Sequence, residues 1–152
     1  MKSILRISDA ASIGMHALAF IASKSGGAVT AKDITASLRV SPNHLSKVLQ
    51  RLVKVGILAS VKGPKGGFSL SKPAASVTFL DIFEAIDGPI ECGCCLFGIK
   101  ICDRSECIMG GFLQDMTARA KKFFKSKRLS EFADFKTRSG LKTPAFKSGQ
   151  KK

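Results

Sequence analysis

The chain has 152 residues, 45% of them apolar, which suffices for one compact domain with a real core and falls short of two ordinary ones. It holds no run of ~18 apolar residues able to span a membrane, and its start, Met1-Lys2-Ser3-Ile4, lacks the apolar stretch and cleavage site of an export signal. A formal net charge of +14 favours polyanionic partners, and the expectation is a soluble, cytoplasmic protein without a membrane partner.

In chain order, residues 9–23 read as a helix. Ser8 or Asp9 caps it, Ile13, Ala17, Phe20 and Ile21 recur at helical spacing, and Ser25-Gly26-Gly27 ends it. Thr30 to Leu38 reads as a short second helix with Thr30 as cap, Asp33 in the first turn and Ala31, Ile34 and Leu38 facing inward. After the tight turn Arg39-Val40-Ser41, the pair Ser41-Pro42 is a strong helix start: the serine hydroxyl accepts from orphan amides and proline fits the first helical position. The third helix runs from Pro42 to about Val55, with Leu45, Val48, Leu49 and Leu52 on its core stripe. Ile57 to Val61 then reads as a strand, Gly63 to Gly67 as a turn and Phe68 to Leu70 as the returning strand. A helix from Phe79 to Ile86 follows Thr78 and closes at Gly88-Pro89.

Residues 91–107 have no periodicity and read as a loop that contains all five cysteines: Cys92, Cys94, Cys95, Cys102 and Cys107. So tight a cluster in a chain expected to be intracellular points to metal or redox chemistry, not to a disulfide framework. Ile108, Phe112, Met116, Ala120 and Phe123 or Phe124 then mark a longer amphipathic helix to about residue 127, with Phe132 and Phe135 extending helical structure a little. Twelve of the 25 Lys and Arg and two of the 11 acids fall in residues 119–152. Such a segment grips polyanions without reading sequence, although a tail that merely aids solubility has the same composition. Beyond Ser139 disorder is expected.

The fold class expected is thus mainly α with a small β-hairpin wing: a winged helix-turn-helix followed by a long C-terminal helix. Two short helices joined by a tight turn, with a Gly-rich hairpin after them, meet the needs of major-groove readout. Asn43, Ser46 and Gln50 fall on the polar stripe of the third helix and reach base edges, Lys47 reaches a guanine edge or a phosphate, and Ser41 and Arg51 flank them. Lys62, Lys65 and Gly66 belong to a wing whose glycines allow close approach to a phosphate rail. The partner implied is a double-stranded DNA operator.

The stretch Val40-Ser41-Pro42-Asn43-His44-Leu45-Ser46-Lys47, then Leu52 to Leu58, then Ser60-Val61-Lys62-Gly63-Pro64-Lys65-Gly66-Gly67-Phe68, resembles the Rrf2 (BadM) family of bacterial regulators, whose wing carries an Arg/Lys-Gly-Pro-x-Gly-Gly-Phe/Tyr motif. The resemblance spans about residues 4–127 and implies a homodimer paired through the long C-terminal helix, bound to a partly palindromic operator as a transcriptional regulator, most often a repressor. It divides the chain into a DNA-binding domain (1–90), a cluster-binding loop (91–107), a dimerisation helix with its extension (108–138) and a basic tail (139–152).

Many members of that family hold an iron–sulfur cluster on three cysteines placed between wing and dimer helix. By resemblance Cys95, Cys102 and Cys107 are those ligands, thiolates being soft anionic donors suited to iron. The chain departs from the pattern in two ways: the last gap is four residues where five is usual, and no His follows the third cysteine. The fourth donor is then His16 or Asp9 of the partner's first helix. The implied signal is redox state, iron or nitric oxide. A thiol switch that uses Cys92 or Cys94, or a zinc site, fits the same cysteines. An enzyme is not expected: no phosphate-cradling strand-to-helix glycine motif is present, Cys-x-x-Cys is absent, and the only histidines are His16 and His44. A general nucleic-acid coat would want an aromatic stacking platform, and the chain has neither Trp nor Tyr.

Overall fold

The structure is a computed structural model that describes residues 7–24, 27–91, 108–109 and 111–134. Helix α1 (Asp9–Ala22) begins at Ser8, whose hydroxyl accepts from the Ala11 amide, and ends at Ser23, whose hydroxyl donates to the Phe20 carbonyl. The expected stop at Ser25-Gly26 lies outside the described residues. Helix α2 (Ala31–Leu38) opens on a reciprocal cap in which the Asp33 amide donates to Thr30 Oγ1 and the Asp33 carboxylate accepts from the Thr30 amide. Of its expected inner stripe Ile34 is fully buried and Leu38 half-buried, whereas Ala31, in the first turn, is exposed.

Arg39 closes α2 in the left-handed region at φ 54°, the only non-glycine among the described residues with positive φ, and so turns the chain sharply into helix α3 (Pro42–Lys54). Ser41 precedes Pro42 with extended backbone, but its hydroxyl makes no capping bond. The start of α3 therefore rests on the fixed φ of Pro42 and on the Leu45 amide bonded to the Ser41 carbonyl. Leu45, Val48, Leu49 and Leu52 are all buried, as the spacing requires.

Strands β1 (Leu58–Val61) and β2 (Gly67–Leu70) pair antiparallel, Leu58 opposite Leu70 and Val61 opposite Gly67. The other edge of β2 is covered too: Val29 and Phe68 exchange both backbone bonds, at 2.9 and 2.8 Å. The residue just before the α2 cap thus acts as a third strand, and the wing is fixed to the entrance of the helix-turn-helix. Helix α4 (Phe79–Asp87) repeats the reciprocal cap, with Thr78 and Asp81 in place of Thr30 and Asp33.

Helix α5 (Phe112–Ser126) starts later than the apolar spacing suggests, since Ile108 stands 91% exposed ahead of it. Only Phe124 of its stripe is buried, stacked on Phe83 of α4 with ring centroids 5.5 Å apart, while Phe112 and Phe123 are exposed. After α5 the chain turns back. Phe79 N donates to Lys127 O and Leu129 N to Val77 O, and a 3-10 turn, Leu129–Phe132, follows in place of more α-helix. Leu129 is fully buried and Phe132 stacks on Phe79 at 4.8 Å, so this clip closes the core from the side of α1 and α4. Phe135 and the basic tail lie outside the described residues, as do all five cysteines. None of the described helices is long and apolar enough to cross a membrane.

Candidate nucleic-acid interface

Helix α3 carries two opposed stripes. At 100° per residue, Asn43, Ser46, Lys47 and Gln50 fall within about 100° of one another, and the four buried residues lie on the far side. Ser41, Asn43, Ser46, Lys47 and Gln50 are all exposed. The core thus grips one face of α3 and presents two amides, small hydroxyls and a cation on the other, the set that hydrogen-bonds base edges and phosphates.

Arg51 stands on the flank of this stripe, and the structure gives its guanidinium an internal partner: Nη1 donates to the Ile86 carbonyl at 2.9 Å, in the last turn of α4.

In the wing, Lys62 and Lys65 are exposed at the hairpin turn. Gly66 is spent on the turn itself, its amide bonded to the Gly63 carbonyl at 2.9 Å. A Cβ there would lie 2.8 Å from that carbonyl oxygen, and one on Gly67 would lie 2.7 Å from the Val29 carbonyl carbon. The paired glycines are therefore required by packing inside the chain, before any question of approach to a phosphate arises.

The two non-cysteine ligand candidates sit on α1. Asp9 and His16 are exposed and seven residues apart, hence on one face about two turns from each other. His16 Nδ1 lies 2.7 Å from the Ser12 carbonyl oxygen. A carbonyl only accepts, so Nδ1 carries the proton, and in the neutral ring Nε2 bears the lone pair that a metal needs. Among the described residues no three His, Cys, Asp or Glu side chains converge on one point. The wing's third strand at Val29 and the ties of Ser8 and Arg51 to the end of α4 escaped sequence reasoning, because each joins groups distant in the chain through a backbone atom or a small polar side chain.

Comparison with known proteins agrees with this architecture. Residues 7–134 match the family model described as "Rrf2: Iron-dependent Transcriptional regulator". The chain is 29% identical over 127 residues to an HTH-type transcriptional regulator of Aquifex aeolicus, covering 82% of this chain and 88% of that one. It is 27% identical over 108 residues to IscR of Klebsiella pneumoniae, 71% of this chain and 66% of that protein. The match to YwgB of Bacillus subtilis is 43% identical over 60 residues, 40% of this chain, and spans only 38% of that regulator. Among solved structures, CymR of B. subtilis, described as the global cysteine regulator, superposes with TM-score 0.74 at 22% identity over 87% of this chain and 98% of that one. IscR of T. potens superposes with TM-score 0.70 at 21% identity, 87% and 89%. At these identities the two structures speak for the fold alone: a winged helix-turn-helix, mostly helical with a two-stranded hairpin. With an exposed polar face on α3, a wing anchored beside it and a family match along nearly all of the described chain, this protein belongs to the Rrf2 family of helix-turn-helix transcriptional regulators.

Proposed function

We propose that the chain works as a homodimer that reads a DNA operator with Ser41, Asn43, Ser46, Lys47 and Gln50 of α3, grips the backbone with Lys62 and Lys65, and changes operator affinity with the state of its cysteine segment. The observation that carries this reading is the division of α3 into a buried apolar face and an exposed polar one, beside a wing fixed in place by Val29. The dimer reading is supported by α5, which leaves Phe112 46% and Phe123 56% exposed; a second copy would cover such a face at low cost.

In this reading Cys95, Cys102 and Cys107 hold an iron–sulfur cluster, with His16 or Asp9 of the partner subunit as the fourth donor. The His16 tautomer set by Ser12 and the exposure of both side chains on one face of α1 agree with that assignment. A bound cluster would supply a centre that reacts with oxidants or nitric oxide. The likeness to IscR favours it. The structural likeness to CymR, the Staphylococcus aureus form of which has been solved oxidized, favours a second reading in which the same cysteines act as a thiol switch. Protein purified without oxygen separates the two: thiolate-to-iron charge-transfer absorbance identifies the cluster, and a colourless protein with stoichiometric zinc, or with a reversible disulfide, excludes it.

Two results are expected from binding measurements. Cys95, Cys102 and Cys107 replaced together by Ala shift operator affinity by about 5- to 150-fold, a coupling of ~1–3 kcal/mol; equal affinity in a folded dimer refutes the sensing role. Lys62→Ala and Lys65→Ala each weaken binding to all duplexes alike, and the slope of log affinity against log salt falls by about 0.9 for every phosphate no longer neutralised. An unchanged slope removes the wing lysines from the interface.

A further inference from the structure

We infer that Arg51 is a positioning residue of the reading head rather than a DNA contact: its bond to the Ile86 carbonyl sets the pose of α3 on the last turn of α4. The inference rests on the DNA-reading role of α3 proposed above and reassigns one residue within it.

Three observations converge on Ile86 and Asp87. The first is the Arg51 bond itself, at 2.9 Å between residues 35 apart in sequence. Carbonyls at the end of a helix have no partner within it, and in this part-buried bond the exposed Arg51 supplies one to the buried Ile86. The last turn of α4 also contains Glu84 and Asp87 and no basic residue of its own. Negative side chains there add to the negative end of the helix dipole. Arg51 supplies the missing cation from a neighbouring helix, and the planar guanidinium is well shaped to give a carbonyl a directed bond. The second observation is the grip on Asp87: its carboxylate accepts from the Ser8 amide at 3.1 Å and from the Ser8 hydroxyl, the group that also caps α1. The third is Gly14 of α1. A Cβ there would collide with Ile86 Cδ1 and lie 3.4 Å from Val48 Cγ1 of α3 and 3.7 Å from Ile82 Cγ2 of α4. The missing side chain at Gly14 leaves the room that the end of Ile86 fills, so α1, α3 and α4 come together at Ile86.

The last turn of α4 is thus the joint at which α1, α3 and α4 are locked together, and Arg51 is the polar tie that α3 contributes. Gly88 follows with φ 86°, where the chain leaves the joint. Cys92 is five positions beyond Asp87 in sequence. A tilt of this turn is passed to the base-reading stripe through the Ile86 carbonyl, without any change in the DNA-contacting residues themselves.

The two roles predict different salt behaviour. Wild-type protein first selects a preferred duplex from a random pool; Arg51→Met and Arg51→Gln are then titrated with that duplex and with a random one at several salt concentrations. A positioning role gives about a tenfold loss on the selected duplex, little loss on the random one and an unchanged salt slope. A phosphate contact gives an equal loss on both and a slope lower by about 0.9, which overturns the inference. Unchanged affinity for both duplexes overturns it as well. So does a chain that no longer folds in either variant by its circular-dichroism melt, since that makes the contact a requirement of the fold. If the wild type selects no sequence at all, the failure belongs to the DNA-reading proposal and not to Arg51.

Discussion

Leu129→Ala is expected to lower the free energy of unfolding by about 3 kcal/mol, the cost of deleting a fully buried leucine together with the cavity it leaves. In a domain of this size that corresponds to a fall in Tm of roughly 10 °C. Much of the clip could be removed with far less effect. The Lys127–Glu131 ion pair, at 3.0 Å, has both side chains more than a third exposed, so solvent screens it and removing one partner costs little. The Arg128 amide, and then Lys127, hold the Glu131 carboxyl below its usual value. Its contribution is therefore present at neutral pH and lost as pH falls through that lowered value. The burial of Leu129 is indifferent to pH and salt. Urea titrations of Leu129→Ala and Lys127→Met, at one fixed protein concentration so that assembly does not vary, separate the two effects. A destabilisation under 1 kcal/mol for Leu129→Ala would show that the clip lies on the core without being part of it.

The clip also marks where sequence reasoning reached its limit. Periodicity placed α1 to α4 within a residue or two of their observed ends, because each helix buries one regular face and is bounded by a cap, a proline or a glycine, and the Gly-rich turn between two short apolar runs placed both strands as closely. The same logic extended helical structure a little to Phe132, which does lie in a helical turn, but a single aromatic at an irregular position has no period to betray that the turn is 3-10. It also gave α5 an inner stripe of which the folded chain buries only Phe124. An amphipathic face in the sequence says that something must cover it and not whether the cover is the same chain. For the reading head, the exposed stripe of α3 was legible because its spacing alone opposes it to four apolar residues. The anchoring of the wing through Val29 was not, since two backbone bonds leave no trace in the side chains. Arg51 was legible as a cation beside the stripe, but its partner is a main-chain oxygen 35 residues away, which composition and motif cannot reveal.

The glycine pair of the wing gives the most direct test of how fold becomes function in this molecule. Gly67→Ala adds one methyl group, and in most strands that would be neutral or favourable. Here the new Cβ would meet three main-chain atoms, among them the Val29 carbonyl carbon at 2.7 Å and the Thr30 amide nitrogen at 3.1 Å. A side chain could rotate away, but these atoms cannot: Val29 is bonded to Phe68 in both directions and Thr30 is the reciprocal cap of α2. Either the Val29–Phe68 bridge opens or the cap is displaced. The expected fall in stability is about 2–3 kcal/mol, at the upper end for overpacking a tight contact. The larger consequence is for DNA. With the bridge broken, β2 loses the neighbour on its second edge, and the turn bearing Lys62 and Lys65 is held less firmly beside α3. Operator affinity should fall about tenfold or more in a protein that is still folded at 25 °C, with a salt slope lower by up to ~2 as the two wing lysines no longer neutralise phosphates. Amide exchange at Val29 and Phe68 should accelerate while exchange in α3 stays slow. Were Gly67→Ala to bind and exchange like the wild type, the wing would not be anchored through Val29, and the fixed placement of its lysines on DNA would have to come from another part of the chain.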